Sequence, residues 1–98
     1  MARSLTWTDS ALDDLAELGS NLDRSSRAYS VTLIQTFAEQ AERVALFPLS
    51  GRVVPEWQDV AFREIIVRRR YRLIYQVEPE RVLIVAVQDT RRVLPKWH

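Results

Sequence analysis

Apolar residues recur at two different periods along the chain, and the change of period divides it. In TDSALDDLAELGSNL, Ala11, Leu12, Leu15, Leu18 and Leu22 return every three or four positions, which predicts a helix with one apolar face. Thr8 to Ser10 offer caps, and Asp9, Asp13 and Asp14 complement the positive end of the helix dipole. Asp13, Asp14 and Glu17 are read there as solvated acids. Asp23 to Ser26 make a break and a new cap. A longer helix is expected to run to about Phe47, with a buried stripe through Val31, Ile34, Phe37 or Ala38, Ala41 and Val44 or Ala45. Pro48 ends it, since proline lacks an amide and disfavours helix in the residue before it. So short a joint predicts an antiparallel helical hairpin.

After the loop-like PLSGRVVPEW the period becomes two. FREIIV alternates Phe62, Glu64 and Ile66 with Arg63, Ile65 and Val67. YRLIYQV alternates Tyr71, Leu73, Tyr75 and Val77 with Arg72, Ile74 and Gln76. Glu78-Pro79-Glu80 is a turn, and RVLIVAV is a near-continuous apolar strand expected at the sheet centre. Arg3 to Trp7 makes a short first strand. The order β-α-α-β-β-β predicts an α+β fold, a helical hairpin packed on one face of a small antiparallel sheet.

Composition adds limits. Ninety-eight residues suit a single domain spanning 1–98, and 47% apolar content is ordinary for a globular chain. The lack of cysteine excludes a disulfide framework or thiolate metal site and suits a reducing cytoplasm. No apolar run approaches membrane-spanning length and the N-terminus has no signal-peptide core, so a soluble cytoplasmic protein is expected. The net charge of +1 is unevenly spread: four arginines against seven acids in residues 1–49 give −3, whereas nine arginines and Lys96 against six acids in 50–98 give +4. Arginine bias in a genome would explain the abundance but not the asymmetry.

One histidine, at the terminus, and no cysteine exclude a catalytic triad or a His-rich metal site, and no phosphate-binding glycine loop is present. No cofactor or metal is expected. The candidate chemistry lies in the arginines of the sheet: Arg63, Arg72, Arg91 and Arg92, with Arg68, Arg69 and Arg70 in the turn. If the two strands pair through that turn, Arg63 and Arg72 are expected near one another, as cations whose repulsion an anion would relieve. Pairing to Glu64 and Asp89 is the competing reading. Tyr71 and Tyr75 alternate with Leu73 and Val77 and read as packing, as does Trp57 at a rim. Trp97 sits in a terminal tail as a candidate contact.

FPLSGRVVPEW, FREIIV, YRLIYQVEPERVLIVAV and TRRVLP, in that order, resemble the RelE/ParE superfamily of type II toxin–antitoxin toxins. The resemblance implies a growth-inhibiting toxin, of the kind associated with plasmid stabilization, neutralised by a small protein antitoxin in a hetero-oligomer. RelE-like members cleave mRNA in the ribosome with basic residues. ParE-like members poison DNA gyrase and need no nuclease site. Arg63 and Arg72 match basic positions of the nuclease site and Arg91 or Arg92 its C-terminal arginine, making Arg63, Arg72 and Arg91 catalytic in a RelE-like toxin. Ile65 stands where a second basic residue is expected, and the C-terminal tyrosine is missing, with Trp97 or His98 near its place. These departures favour a ParE-like gyrase poison, with Arg63, Arg72, Arg91, Arg92 and Trp97 as phosphate- or target-binding residues. An inactive homologue that binds only its antitoxin is a third reading. Arg63→Ala and Arg72→Ala are expected to leave the fold intact and to blunt a nuclease, and a ParE-like toxin to be more sensitive to loss of residues 91–98.

Overall fold

The computed structural model describes residues 3–23, 26–92 and 94. Its elements are β1 (Ser4–Trp7), α1 (Asp9–Asp23), α2 (Arg27–Leu46), a 3-10 turn (Pro48–Ser50), β2 (Arg52–Val53), β3 (Phe62–Val67), β4 (Tyr71–Val77) and β5 (Arg81–Asp89). The α+β class and the helical hairpin on one sheet face are as the periods predict. The helix starts are capped by the expected side chains: Thr8 Oγ1 accepts from the Ala11 amide and Ser26 Oγ from the Tyr29 amide.

The sheet has five strands in the order β1-β5-β4-β3-β2. β2 to β5 form an antiparallel meander, but β1 runs parallel to β5, pairing Ser4 with Arg81 and Trp7 with Ile84, so the sheet is mixed. A four-residue strand carries no local mark of its partner's direction. The helical hairpin returns the chain so that β5 comes to lie beside β1 in the same sense. β2 is a two-residue edge within the stretch read as loop.

The main core lies between hairpin and sheet: Ala11 of α1, Leu33, Phe37, Ala41 and Val44 of α2, and Val67, Tyr71, Leu73, Tyr75, Val82, Ile84 and Val87 below them. The buried stripe of α2 runs through Phe37, Ala41, Val44 and Ala45 as expected and departs from the expectation only at its N-terminal end. Leu33 and Ser30 face inward while Val31 is 47% exposed, because Gly19 lets the helices approach closely. A Cβ at Gly19 would lie 3.0 Å from Ile34 Cδ1, and the buried Ser30 hydroxyl donates to the Gly19 carbonyl.

A second, smaller core covers the opposite sheet face. Val54, Phe62, Ile74, Val85 and Leu94 are buried there, with Trp57 packed edge-on to Phe62 at 5.2 Å. A register shift between β4 and β5 pairs Ile74 with Ala86 and Tyr75 with Ile84, leaving Val85 as the extra residue. The bulge puts Val85 and Ala86 on one face, and RVLIVAV reads as near-continuously apolar because cores cover both faces, one taking Val82, Ile84 and Val87 and the other Leu83, Val85 and Ala86. Beyond Ile84 the outer edge of β5 is no longer covered by β1. Asp14 of α1 reaches down and accepts from the Val87 amide at 3.0 Å. Burial raises the Asp14 carboxyl above its ordinary value, so this acid is a tertiary tie and not simply a solvated helix-start charge.

Candidate functional site: the arginines of the sheet

Strand pairing places the arginines more firmly than alternation alone. Arg63 lies opposite Tyr75, whose ring fills the hairpin-side core, whereas Arg72 lies opposite Ile66 and Gln88 on the other face. Neighbours across a ladder share a face, so Arg63 and Arg72 project from opposite sides of the sheet. The expected neighbourhood of these two guanidinium groups is therefore corrected by the register.

Arg72 is buried and fully engaged. Its Nε donates to Glu64 Oε1 at 2.6 Å, and its two terminal nitrogens donate to the two oxygens of Glu56 at 2.6 and 2.8 Å. Glu64, with no side-chain exposure, also accepts from Arg52. The four side chains alternate in charge, Glu56–Arg72–Glu64–Arg52. Hydrogen bonding from Arg72 holds the Glu56 carboxyl at about 2, well below its ordinary 4.5, and Glu56 in turn raises the Arg72 guanidinium. Glu56 Oε2 also lies 3.5 Å from the Leu94 amide, tying the C-terminal segment to the same clamp. The competing reading, pairing to Glu64, holds for Arg72, and Glu56 adds a second acid that the sequence did not single out. Glu56 lies in the 54–61 segment, where no period marks its direction.

Arg63 donates to the Gly51 carbonyl at 3.0 Å, and its buried Nε has no acceptor among the described residues. Beside it the buried Tyr75 hydroxyl donates to the Pro48 carbonyl at 2.7 Å and accepts from the Gly51 amide at 3.0 Å. Burial raises the Tyr75 phenol. A Cβ on residue 51 would meet Tyr75 Oη at 2.5 Å and the Glu64 carbonyl oxygen at 2.6 Å, so this position admits only glycine without a shift.

The other arginines gather at the far end of the sheet. Val67 pairs with Tyr71 across a three-residue connection, Arg68 to Arg70, in which the Arg70 amide donates to the Val67 carbonyl, and the Thr90 amide donates to the Arg70 carbonyl. Arg91, 74% exposed in its side chain, forks onto Asp89, and Arg70 Nε approaches the same carboxylate at 3.5 Å. The Arg91 contact drives the Asp89 carboxyl far below the usual range. Arg70, Arg91, Arg92 and Tyr71 line a cleft of about 500 Å³ whose other wall is α1, with Asp14 and Glu17. Arg63 sits across the ladder from Tyr75, four residues along β4 from the Tyr71–Asp89 pair and roughly 13 Å down the strand. Arg63, Arg72 and Arg91 therefore do not converge. Trp97 and His98 lie outside the described residues. Among the described residues no cluster of His, Asp or Glu is arranged to hold a metal ion.

Comparison with known proteins agrees with the architecture. Residues 5–94 match the family model for the ParE toxin of the type II toxin–antitoxin system parDE. No curated protein matches the chain. Among solved structures, the chromosomal ParDE system of Pseudomonas aeruginosa superposes with a TM-score of 0.75 at 18% identity, covering 90% of this chain and 96% of that one. A mutant of the Escherichia coli toxin RelE in the free state gives 0.67 at 23% identity, over 93% and 86% of the two chains. The RelBE2 toxin–antitoxin complex of Mycobacterium tuberculosis gives 0.65 at 20% identity, over 94% and 95%.

Proposed function

Because the chain belongs to the ParE toxin family of type II toxin–antitoxin systems, within the RelE/ParE superfamily, we propose that it inhibits growth in the ParE manner, by poisoning DNA gyrase through protein contact. As a toxin of such a pair it has a protein antitoxin as partner. The observation that carries the gyrase reading is the state of Arg72. A nuclease that held phosphate with this residue would have to strip it from Glu64 and Glu56, two carboxylates at 2.6 Å in a buried site. Removing such charges from their partners is costly, since Glu64 would keep Arg52 alone and Glu56 would lose the guanidinium that grips both its oxygens. The separation of Arg63 from Arg91 works in the same direction, since in-line attack by a 2′-hydroxyl needs its base, acid and phosphate clamp within a few ångströms.

On this reading the exposed Arg91 and Arg92 beside the α1 cleft are target contacts, and Trp97 follows them in the chain. The test is purified gyrase with supercoiled DNA, comparing the chain with an Arg91→Ala/Arg92→Ala variant. Linear DNA should accumulate with the unaltered chain and fall at least tenfold with the variant. Truncation at residue 91 is a poorer probe, because it also removes the buried Leu94 and unroofs the second core.

RelE-like cleavage of mRNA keeps one observation in its favour. The buried Nε of Arg63 lacks an acceptor among the described residues, and a phosphate oxygen would satisfy it. Ribosome-dependent message cleavage that disappears in Arg63→Ala, with gyrase unaffected, would replace the gyrase reading. Silence in both assays would leave the inactive, antitoxin-binding homologue.

A further inference from the structure

The β3–β4 turn contains a local conflict. Arg68 and Arg69 have φ of 56° and 60°, the left-handed region at both central positions of the four-residue turn from Val67 to Arg70. That turn strongly favours Asn-Gly, since a side-chain Cβ is disfavoured there. Arginine abundance in the chain explains exposed arginines in general, but not their placement at the two positions where the backbone resists them. A sequence that keeps such a pair needs what the side chains reach, not what they do for the turn.

Their surroundings say what that is. Arg68, Arg69 and Arg70 of the turn and Arg91 and Arg92 after β5 come together at one end of the sheet, linked by the Thr90–Arg70 hydrogen bond. Asp89 is the one acid of these paired strand ends, so five cations less one anion leave +4. The α1 wall of the cleft adds Asp14, whose carboxylate is taken by Val87 and Gln88, and Glu17, which leaves the cation excess on the turn side. Arg69 and Arg92 have no carboxylate partner among the described residues. Arg68 is anchored by the Thr36 hydroxyl at 3.1 Å.

We propose that the β3–β4 turn, its charge reinforced by the neighbouring Arg91 and Arg92, forms a contact surface for the phosphodiester backbone of DNA, beside the residues assigned to the protein target. Arginine forks match phosphate oxygens without reading sequence, so the binding is general and salt-dependent. Arg68 to Arg70 are all exposed, Arg68 is tied to Thr36, and Arg70 is steadied on the Tyr71 ring at 5.6 Å.

Arg68→Asn/Arg69→Gly tests this because it relieves the turn while deleting the contact. A short labelled duplex of mixed sequence is titrated with the purified chain at several salt concentrations, without gyrase or antitoxin, so the outcome is independent of the gyrase assay. The variant's Tm should rise by about 4 °C or more, while its duplex affinity drops at least tenfold at low salt and the log–log salt slope falls by about 2. Arg43→Gln/Arg81→Gln, which removes the same charge from other parts of the surface, should leave the slope within a fraction of that change. Equal duplex binding by the turn variant overturns the proposal, as does an equal loss in the Arg43/Arg81 control. A fall in Tm removes the strain argument and counts against it. Tighter binding of a polyglutamate peptide than of the duplex would make the surface one for an acidic protein segment, and overturns it too.

Discussion

Arg72 shows how a residue that reads as a surface cation becomes part of the scaffold. Alternation places it across from apolar neighbours but cannot say that a second core closes over that face, because Val54, Trp57 and Leu94 arrive from segments without a period. Once covered, a guanidinium needs carboxylates, and Glu64 and Glu56 provide them. The expectation that Arg72→Ala leaves the fold intact is revised accordingly. Arg72→Ala should lower the unfolding free energy in urea by about 3 kcal/mol or more, since Glu64 is left buried with Arg52 alone. Arg63→Ala should cost about 1 kcal/mol, one hydrogen bond to a carbonyl. Equal costs would contradict the assignment. Acid gives a second check. The Glu56 carboxyl titrates at about 2 when folded and 4.5 ordinarily. Its stabilising contribution is therefore complete above about 4.5 and is lost as pH falls toward 2. Thermal scans should show Tm declining over that window, and Glu56→Gln should be less stable at neutral pH with a shallower decline.

At the scale of elements, the periods alone specify two helices, their caps and three long strands, because those features are local. What they leave open is relational. The N-terminal end of α2 buries Ser30 and Leu33 rather than Val31, where Gly19 admits close approach from the other helix, and the parallel β1–β5 pair depends on where the hairpin delivers the chain. The Val85 bulge is hidden in a run in which every residue is apolar. The glycine of the SGR motif was visible as a residue but not as a requirement; its reason is the Tyr75 hydroxyl 24 positions away. Gly51→Ala should therefore destabilise by roughly 2 kcal/mol despite an ordinary backbone conformation, as overpacking against a backbone oxygen cannot relax cheaply. The open part of the β5 edge makes a separate prediction. Asp14→Ala should speed amide exchange at Val87 at least tenfold while Leu73, buried in the middle of the sheet, stays protected. Unchanged exchange at Val87 would mean that the edge is covered by something other than this carboxylate.

For the whole molecule, the charge asymmetry between the halves of the chain separates into two populations with different roles. Arg52 and Arg72 are matched by acids across the second face, and Arg63 is tied to the Gly51 carbonyl on the other. At the turn end Arg70 and Arg91 share the single Asp89, and Arg69 and Arg92 have no carboxylate partner among the described residues. The sequence therefore names these arginines as candidates, but not which face or end of the sheet each one occupies. Three arginines that would have to converge for RNA cleavage sit on two faces and at two ends of the sheet. The measurement that tests the ParE-like account most directly is brief induction in a bacterial host, with primer extension on abundant messages and gyrase-linked DNA cleavage scored from the same culture. Broken DNA with intact messages, relieved by a gyrase variant that escapes the toxin, is the predicted result. Cut messages with intact DNA would contradict the account and require Arg72 to leave its clamp when the ribosome is engaged.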